Sequence, residues 1–425
     1  MKHLAAREIY ILTVPYVAAV SSLSGLRVGG LHYTGFLWAA VLLAGILLIL
    51  QHRGPIPFPW RIWAPWFAYV WLAAAWSGTH GRHSLQDPLQ MMTPLVVGIV
   101  ASFTVREERQ LERLFRGFVF CLFFIAAAFA FFYFGPGAVL QKEGTGYCAR
   151  PAAMTVALVG AMFLARVRRR PFQAFLGWAA CFAIGVLSES RMATGVLLAL
   201  LVLWPDYRTV LPRLAAAGMV VAAGIALFYS PIFQQRFFTT EGERQYAGKG
   251  TLSQVLHGDF SGSGRFDVWP LVWNEARDQH LLFGAGTGSI GPFADRAFGK
   301  TFSTPLNDYL RILFEFGLLG LVLFAGAAAL QLRAIVRRRR GAEARQHWEL
   351  LAAHLGFLSL FLFAITENVI VYGVYFLNPL FALTGAALGL EAARLRAAAA
   401  AVSGRDRARA AGARPAGGVE AWAAR

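Results

Sequence analysis

Charged residues are scarce in this sequence, and acidic residues are scarcer than basic ones. Asp, Glu, Lys and Arg make up 15% of the 425 residues, whereas hydrophobic residues make up 57%. Soluble domains usually carry about 25% charged residues. The scarcity excludes an ordinary soluble protein, and apolar runs of about 20 residues predict repeated membrane crossings.

Cysteine is also rare, which limits the chemistry that the chain can perform. The chain has an odd number of cysteines, the three residues Cys121, Cys148 and Cys181, and they lie in or beside apolar runs. They lack the spacing of metal ligands, so the sequence predicts neither a disulfide framework nor a zinc site. No cluster of metal ligands stands out elsewhere, and we expect neither a metal nor another cofactor.

The apolar runs predict an all-α polytopic membrane protein with about twelve transmembrane helices. The predicted spans are 8–24, 34–50, 59–76, 87–104, 113–134, 151–167, 173–188, 191–205, 212–230, 306–331, 349–369 and 372–392. The first span lacks a convincing cleavage site, so we interpret it as retained rather than as a signal peptide. The spans divide the chain into helices 1–9 (residues 1–230), a loop (231–304), helices 10–12 (305–392) and a tail (393–425).

The distribution of basic charge decides what the net charge of +17 means. With the N-terminus inside, most Lys and Arg fall in the inner loops, including Arg168–Arg170 and Arg337–Arg340. This bias orients membrane helices and attracts anionic lipid headgroups, so we expect membrane lipids rather than nucleic acid as partners. It predicts a bacterial inner-membrane protein with cytoplasmic termini and residues 231–304 in the periplasm.

The first candidate for function is Ser188-Glu189-Ser190-Arg191, between two predicted spans at the outer face. One interpretation is a self-paired turn that caps the next helix. The other is a pair, Ser190 and Arg191, that faces an anionic group, since the planar arginine fork suits phosphate.

The second candidate lies in the external loop, where a helix is predicted from Phe266 to Asp278. One face of it carries Arg265, Trp269, Val272, Trp273 and Ala276. This stripe predicts packing on the membrane or the bundle, with Arg265 at the helix N-terminus, where it either binds an anion or snorkels at the interface. Arg277, near the end of this helix, is a further candidate for substrate binding.

Glycines punctuate the stretch that follows this helix, from Gly284 to Gly288. Because no strand precedes it, the pattern is not a dinucleotide-binding fingerprint. It predicts a turn, with phosphate cradling by its backbone as the alternative.

The third candidate is a polar group on the first turns of a predicted span. Asn307, Arg311 and Glu315 share one helix face, and Asp308 lies beside them. Charged groups in a membrane are costly and mark sites that face water, a partner or a substrate. An internal ion pair between Arg311 and Glu315 is the structural alternative. Glu367 and Asn368 are expected to line the same cavity.

The three candidates converge on the external membrane boundary and resemble a known family. The motifs run in the order Ser190-Arg191, Gly264-Arg265-x-x-x-Trp269, Gly284-x-Gly286, and Asn-Asp-Tyr-Leu-Arg-Ile-Leu-x-Glu-x-Gly from Asn307 to Gly317. This order and spacing resemble the O-antigen ligase/polymerase superfamily over residues 188–320. The resemblance implies a GT-C-like helical membrane glycosyltransferase that works without a metal.

The resemblance also implies substrates and roles. The donor would be a polysaccharide on undecaprenyl pyrophosphate, and Arg191 and Arg265 match the two arginines that hold the pyrophosphate. The acceptor would be lipid A–core in a ligase or another lipid-linked repeat in a polymerase. The family's histidine is replaced by Leu306. Either the base has moved, with Asp308 as the nearest candidate and His257 and His280 of the loop as others, or positioning and electrostatics suffice, or the protein is inactive or altered.

We prefer the ligase over the polymerase because one moderately long loop and a compact chain fit it slightly better. A transporter for a lipid-linked sugar is the alternative from another class. It would predict polar residues at mid-membrane and paired half-helices, whereas the polar residues here gather at one face.

Overall fold

The computed structural model describes residues 5–23, 27–28, 31–77, 82–139, 147, 149–188, 190–207, 209–230, 234, 265–298, 305–340 and 347–410. The regular secondary structure of this part is helical apart from a hairpin of two-residue strands, β1 (Arg27–Val28) and β2 (Leu31–His32). The helices are α1 (Ala6–Ser21), α2 (Tyr33–Leu50), α3 (Ala64–Ala74), α4 (Arg82–Thr104), α5 (Glu108–Phe134), α6 (Ala149–Ala165), α7 (Pro171–Leu187), α8 (Arg191–Val202), α9 (Val210–Phe228), α10 (Arg265–Gln279), α11 (Ile290–Phe298), α12 (Asp308–Arg339), α13 (Trp348–Thr366) and α14 (Leu377–Ala410).

Each of the twelve predicted spans contains a helix, which confirms the all-α prediction. Five of the described helices, α2, α5, α9, α12 and α13, are long and apolar enough to cross a membrane. Their outer surfaces expose apolar side chains such as Leu47, Leu211 and Val322. Exposed apolar surface on this scale suits lipid rather than water. The chain is therefore an integral membrane protein, while the number of crossings stays a prediction.

Helices α4 and α14 run parallel, and small residues along their contact let the two backbones approach closely. A Cβ atom added to Gly385 would lie 2.1 Å from the carbonyl oxygen of Gly98, and one added to Gly389 would lie 2.3 Å from that of Ser102. Small residues four apart let helix backbones approach closely in a membrane. This contact fixes α4, which supplies part of the site described below.

We expect Gly385→Ala to destabilise the protein by about 1–3 kcal/mol, because the added methyl group meets backbone that cannot move aside. Thermal unfolding of the purified protein in detergent measures the effect. Gly218→Ala is the matched control, since nothing lies within 4 Å of a Cβ added there in α9. A Gly385→Ala protein as stable as the Gly218→Ala protein would contradict this account of the packing.

Helix α12 is broken at Gly317, whose φ of 64° and ψ of −168° interrupt the helical hydrogen bonds. The segment between α10 and α11 fills the break. The amides of Leu318 and Leu319 donate to the carbonyls of Leu281 and Leu282, at 2.8 and 3.2 Å. In return, Ala285 and Gly286 donate to the carbonyls of Phe314 and Glu315, at 2.8 and 2.9 Å. Non-helical backbone is tolerated at membrane depth when such partners satisfy it.

The glycine-rich stretch belongs to the segment that fills the break, which is called the wedge below. Its structure favours the turn interpretation over a phosphate cradle. Gly284, Gly286 and Gly288 all have positive φ, which suits glycine. A Cβ on Gly284 would lie 2.3 Å from the backbone of Glu315. The amides of Ala285 and Gly286 are occupied by α12 carbonyls, so they are not directed at an anion.

The loop helix predicted from the sequence is confirmed as α10, but its buried face differs from the predicted stripe. Val268, Val272 and Ala276 are buried against the start of α12, whereas Trp273 is 46% exposed. The i, i+4, i+8 row through Val268 packs on α12 and turns Trp273 away from the bundle, so contact of Trp273 with the membrane, the other surface predicted for the stripe, stays a prediction. Trp269 lies at the edge of this contact and donates from Nε1 to the carbonyl of Pro305 at 2.6 Å.

Candidate active site

One end of the bundle, here called the site end, holds the polar residues at the start of α12 that the sequence analysis singled out. Helices α4 and α12 both begin there, joined by an ion pair between Asp87 and Arg311. The opposite end of α12 is tied by Arg339 to Asp206, which follows α8. Helix α8 therefore runs with its first residue, Arg191, directed toward the site end, although its 12 residues cover about 18 Å and the 32 residues of α12 about 48 Å.

Arg311 is the centre of the buried charge cluster at this end. Its side chain is 5% exposed, and its Nε lies 3.2 Å from Oε2 of Glu315 and its Nη2 3.2 Å from Oδ2 of Asp87. The other Glu315 oxygen accepts from the amide of Ile290 at 3.4 Å, at the start of α11. The pair expected between Arg311 and Glu315 is confirmed, and it holds one guanidinium between two carboxylates.

A cavity of about 440 Å³ opens beside this cluster. It is lined by Gln86, Asp87, Gln90 and Met91 of α4, by Gly288, Ile290, Gly291, Pro292 and Asp295 at α11, by Arg311 of α12, and by Ile370 and Val371 before α14. The glycines and the helix ends leave the space open, while the carboxylates, carboxamides and guanidinium supply its polar groups. Such groups match the hydroxyls of a sugar.

Asp87 is a site residue that the sequence reasoning missed. Its side chain is 17% exposed and lines the cavity, held by Arg311. The sequence offered a signal, because Asp87 and Gln90 lie within the first turns of a predicted span, where a charge is costly. In the predicted spans, position 87 is only the first residue of the span 87–104.

Asp308, predicted to act as the base, is placed in the interior instead. It is 0% exposed, and its Oδ2 accepts from the amide of Ile370 at 2.9 Å. This contact holds the segment before α14, whose residues Ile370 and Val371 line the cavity. The geometry thus favours a positioning role for Asp308 over direct proton transfer. Glu367 and Asn368 are buried next to that wall, with 5% and 1% exposure.

Two predicted binding residues serve as helix caps. Asn307 caps α12, where its Oδ1 accepts from the amide of Leu310 at 3.0 Å. Ser190 caps α8, where its Oγ accepts from the amide of Ala193 at 3.4 Å. The capping interpretation of the turn before Arg191 is confirmed for Ser190, and Glu189 lies outside the described residues. Arg191 is half-buried and is not among the described residues that line the cavity.

The remaining predicted positions lie on or beside the segment that covers α12. Arg265 begins α10, and its side chain lies outside the described residues. Arg277 is 54% exposed near the other end of α10, where its Nε donates to Asp278 Oδ1 at 2.7 Å. This hydrogen bond raises the pKa of Arg277 and lowers that of Asp278. Leu306 adopts a φ of 50°, a conformation that a branched side chain seldom takes.

Among the described residues, no three side chains of His, Cys, Asp or Glu gather as the ligands of a metal ion.

A comparison with protein families bears on what the site does. Residues 174–325 match the sequence model of the family described as O-Antigen ligase, over about a third of the chain. This segment therefore matches the O-antigen ligase superfamily. Members of that family are membrane glycosyltransferase-like enzymes. No curated protein matches the chain.

The O-antigen ligase segment includes all eight residues that the sequence analysis chose for the site. They are Ser190, Arg191, Arg265, Arg277, Asn307, Asp308, Arg311 and Glu315. The cavity also draws on residues outside that segment, chiefly Asp87 on α4 and Ile370 before α14. The site is therefore assembled from the O-antigen ligase segment and from helices on either side of it.

Proposed function

We propose that the protein is an O-antigen ligase that joins a polysaccharide from undecaprenyl pyrophosphate to lipid A–core at the periplasmic face of the inner membrane. The proposal rests on one observation: the O-antigen ligase segment supplies part of the lining of the cavity, including Arg311. The acceptor sugar occupies this cavity, and the pyrophosphate lies with Arg191 and Arg265. No metal is required.

The charge of the cavity supports this division of the substrates. Among the described residues of the lining, Asp87 and Asp295 outnumber the one cation, Arg311, so this part of the lining carries a net negative charge. A pyrophosphate would be repelled there, whereas sugar hydroxyls donate well to carboxylates and carboxamides. Arg191 and Arg265, which match the two arginines of the family, supply the positive charge that a departing pyrophosphate needs.

Asp87 takes the role of the family's histidine, which Leu306 replaces in this chain. Its carboxylate accepts the proton of the acceptor hydroxyl as the hydroxyl oxygen bonds to the anomeric carbon of the donor. The bond from that carbon to the pyrophosphate breaks, and undecaprenyl pyrophosphate leaves with the bonding electrons. Arg311 holds the Asp87 carboxylate in place, and Glu315 holds Arg311.

We expect Asp87→Asn to lower the rate of transfer about 10²–10⁴-fold, because the amide keeps the shape but cannot accept the proton. The rate is measured with purified protein, lipid-linked O-antigen and lipid A–core. Thermal unfolding in parallel distinguishes a lost base from a damaged fold, since asparagine can still accept a hydrogen bond from Arg311.

Asp295→Asn is the matched control, since Asp295 lines the same cavity from the exposed face of α11. We expect it to retain most of the activity. If Asp295→Asn lost as much activity as Asp87→Asn, or if Asp87→Asn remained active, the assignment of the base to Asp87 would be wrong.

The choice of acceptor separates the ligase from the polymerase. The assay supplies lipid-linked O-antigen with EDTA present, either with lipid A–core or alone. Sugar on lipid A–core that depends on Arg191 and Arg265, tested by alanine variants, would establish the ligase. Longer lipid-linked chains without transfer to lipid A–core would establish the polymerase instead. If neither product forms, the Leu306→His variant is tested next in the same assay.

A further inference from the structure

A second cavity lies at the end of the bundle opposite the site end. Helix α4 begins beside the first cavity and runs 23 residues to Thr104, about 34 Å. Helix α5 begins at Glu108, directly after it. The second cavity opens between the first turns of α5 and the junction of α6 with α7, and its volume is about 390 Å³. The inner loops predicted from the basic charge lie at this end.

The lining of this cavity is basic on one side and apolar on the other. It consists of Glu112, Phe115, Arg116 and Val119 of α5, Phe163 of α6, Arg166 and Arg170 of the following turn, and Gln173 and Ala174 of α7. Three arginines against one carboxylate leave a net charge of about +2. The cavity therefore favours an anion that also carries apolar surface.

Arg166 is the fixed part of this lining. Its Nη1 and Nη2 atoms donate to the two oxygens of Glu112, at 2.9 and 2.8 Å. Its guanidinium also lies over the rings of Phe115 and Trp348, with centroids at 4.1 and 4.8 Å. The one acid among the described lining residues is thus paired internally, and the remaining charge belongs to the other two arginines.

Arg116 and Arg170 are exposed at the mouth of the cavity. Arg170 donates to Oε1 of Gln173 at 3.3 Å, and within the described ranges neither arginine forms an ion pair with an acidic residue. Two exposed guanidinium groups at one opening form a site for a phosphate, which accepts several hydrogen bonds at once.

Apolar side chains continue from this mouth toward the middle of the bundle. Phe120 and Phe123 follow Arg116 at i+4 and i+7 on the same face of α5, and they are 51% and 69% exposed. Leu176, at i+3 from Gln173 on α7, is 50% exposed. An acyl chain attached to a phosphate at Arg116 would lie on these side chains.

We propose that this cavity binds the headgroup of an anionic phospholipid in the leaflet predicted to be cytoplasmic. Arg116 and Arg170 bind the phosphate, Gln173 meets the polar part of the headgroup, and Phe120 and Phe123 contact an acyl chain. Basic cavities between membrane helices suit such headgroups. The site is separate from the proposed transfer reaction, so it stands or fails independently of it.

Native mass spectrometry of the delipidated full-length protein tests the proposal. Phosphatidylglycerol and phosphatidylcholine with identical acyl chains are titrated separately. We expect phosphatidylglycerol to bind more tightly, and the double variant Arg116→Gln/Arg170→Gln to weaken its binding roughly 10- to 30-fold. Arg116→Lys/Arg170→Lys keeps the charge and should retain most of the affinity, which distinguishes lost attraction from a damaged fold.

The matched control is Arg61→Gln/Arg396→Gln, which removes two exposed arginines from the same end of the bundle. We expect it to change the affinity by less than about threefold. Equal losses in both glutamine variants would overturn the proposal in favour of diffuse attraction. Full affinity in Arg116→Gln/Arg170→Gln, or equal binding of both lipids, would also overturn it. So would complete displacement of the lipid by inorganic phosphate, which would indicate a site for the free anion.

Discussion

Replacing Arg311 by methionine is expected to abolish transfer and to destabilise the protein. The substitution keeps much of the side-chain volume but leaves Glu315 at 0% exposure without its cation. Removing one partner of a buried ion pair costs about 3–5 kcal/mol, because the remaining charge is buried without compensation. Asp87 would also lose the group that orients it, and misplacement of about 1 Å can cost 10²-fold in rate.

A second variant separates the two effects of this substitution. Arg311→Met/Glu315→Gln removes both charges, so we expect it to recover part of the lost stability while transfer stays absent. Thermal unfolding and the transfer assay are measured on the same preparations. Arg333→Gln is the control, since Arg333 is an exposed arginine on the same helix. Recovery of transfer in the double variant would show that Arg311 is structural only.

Replacing Gly317 by alanine is expected to disrupt the wall of the cavity as well as the fold. Its φ of 64° and ψ of −168° belong to a region that is essentially restricted to glycine. An added Cβ would lie 2.3 Å from the carbonyl oxygen of Leu282. Strain and collision together should cost more than about 3 kcal/mol. Displacement of the wedge would also move Gly288 and Ile290, so transfer should fall with stability.

Gly326→Ala provides the comparison, because it lies in the regular part of α12 with nothing within 4 Å of an added Cβ. Alanine is preferred over glycine in a helix by about 1 kcal/mol, so this variant should be as stable as the parent or more so. Both proteins are compared by thermal unfolding and by transfer. Equal stability of the two variants would contradict the broken form of α12.

The helices could be predicted from the sequence because apolar length is a local property. The same holds for the pair between Arg311 and Glu315, whose i, i+4 spacing places them together on any helix. The third member, Asp87, is 224 residues from Arg311 along the chain. No periodicity within one helix relates these two positions, so only the folded arrangement, which brings their side chains to 3.2 Å, reveals the cluster.

The glycine-rich stretch and Asp308 show a second limit of sequence reasoning. Both are polar or irregular features at the outer boundary, where a ligand is a natural explanation. In the structure, their hydrogen-bonding groups meet other parts of the chain: the carbonyls of Phe314 and Glu315 in one case, and the amide of Ile370 in the other. A sequence shows that such groups need partners, but it does not show whether the partner is a substrate or the fold.

The most direct test of the central claim is labelling of Gly291→Cys in a chain whose three native cysteines are replaced by serine. Gly291 lines the cavity with open space around its Cβ position, so a cysteine should fit there. A membrane-impermeant maleimide is added to intact spheroplasts, and transfer to lipid A–core is measured before and after. Arg53→Cys, an exposed position between α2 and α3, is the control for the other side.

We predict that Gly291→Cys is labelled from outside and loses transfer on labelling, while Arg53→Cys reacts only after the membrane is opened. Labelling of Gly291→Cys only in opened membranes, or labelling without loss of transfer, would contradict a periplasmic acceptor site in this cavity.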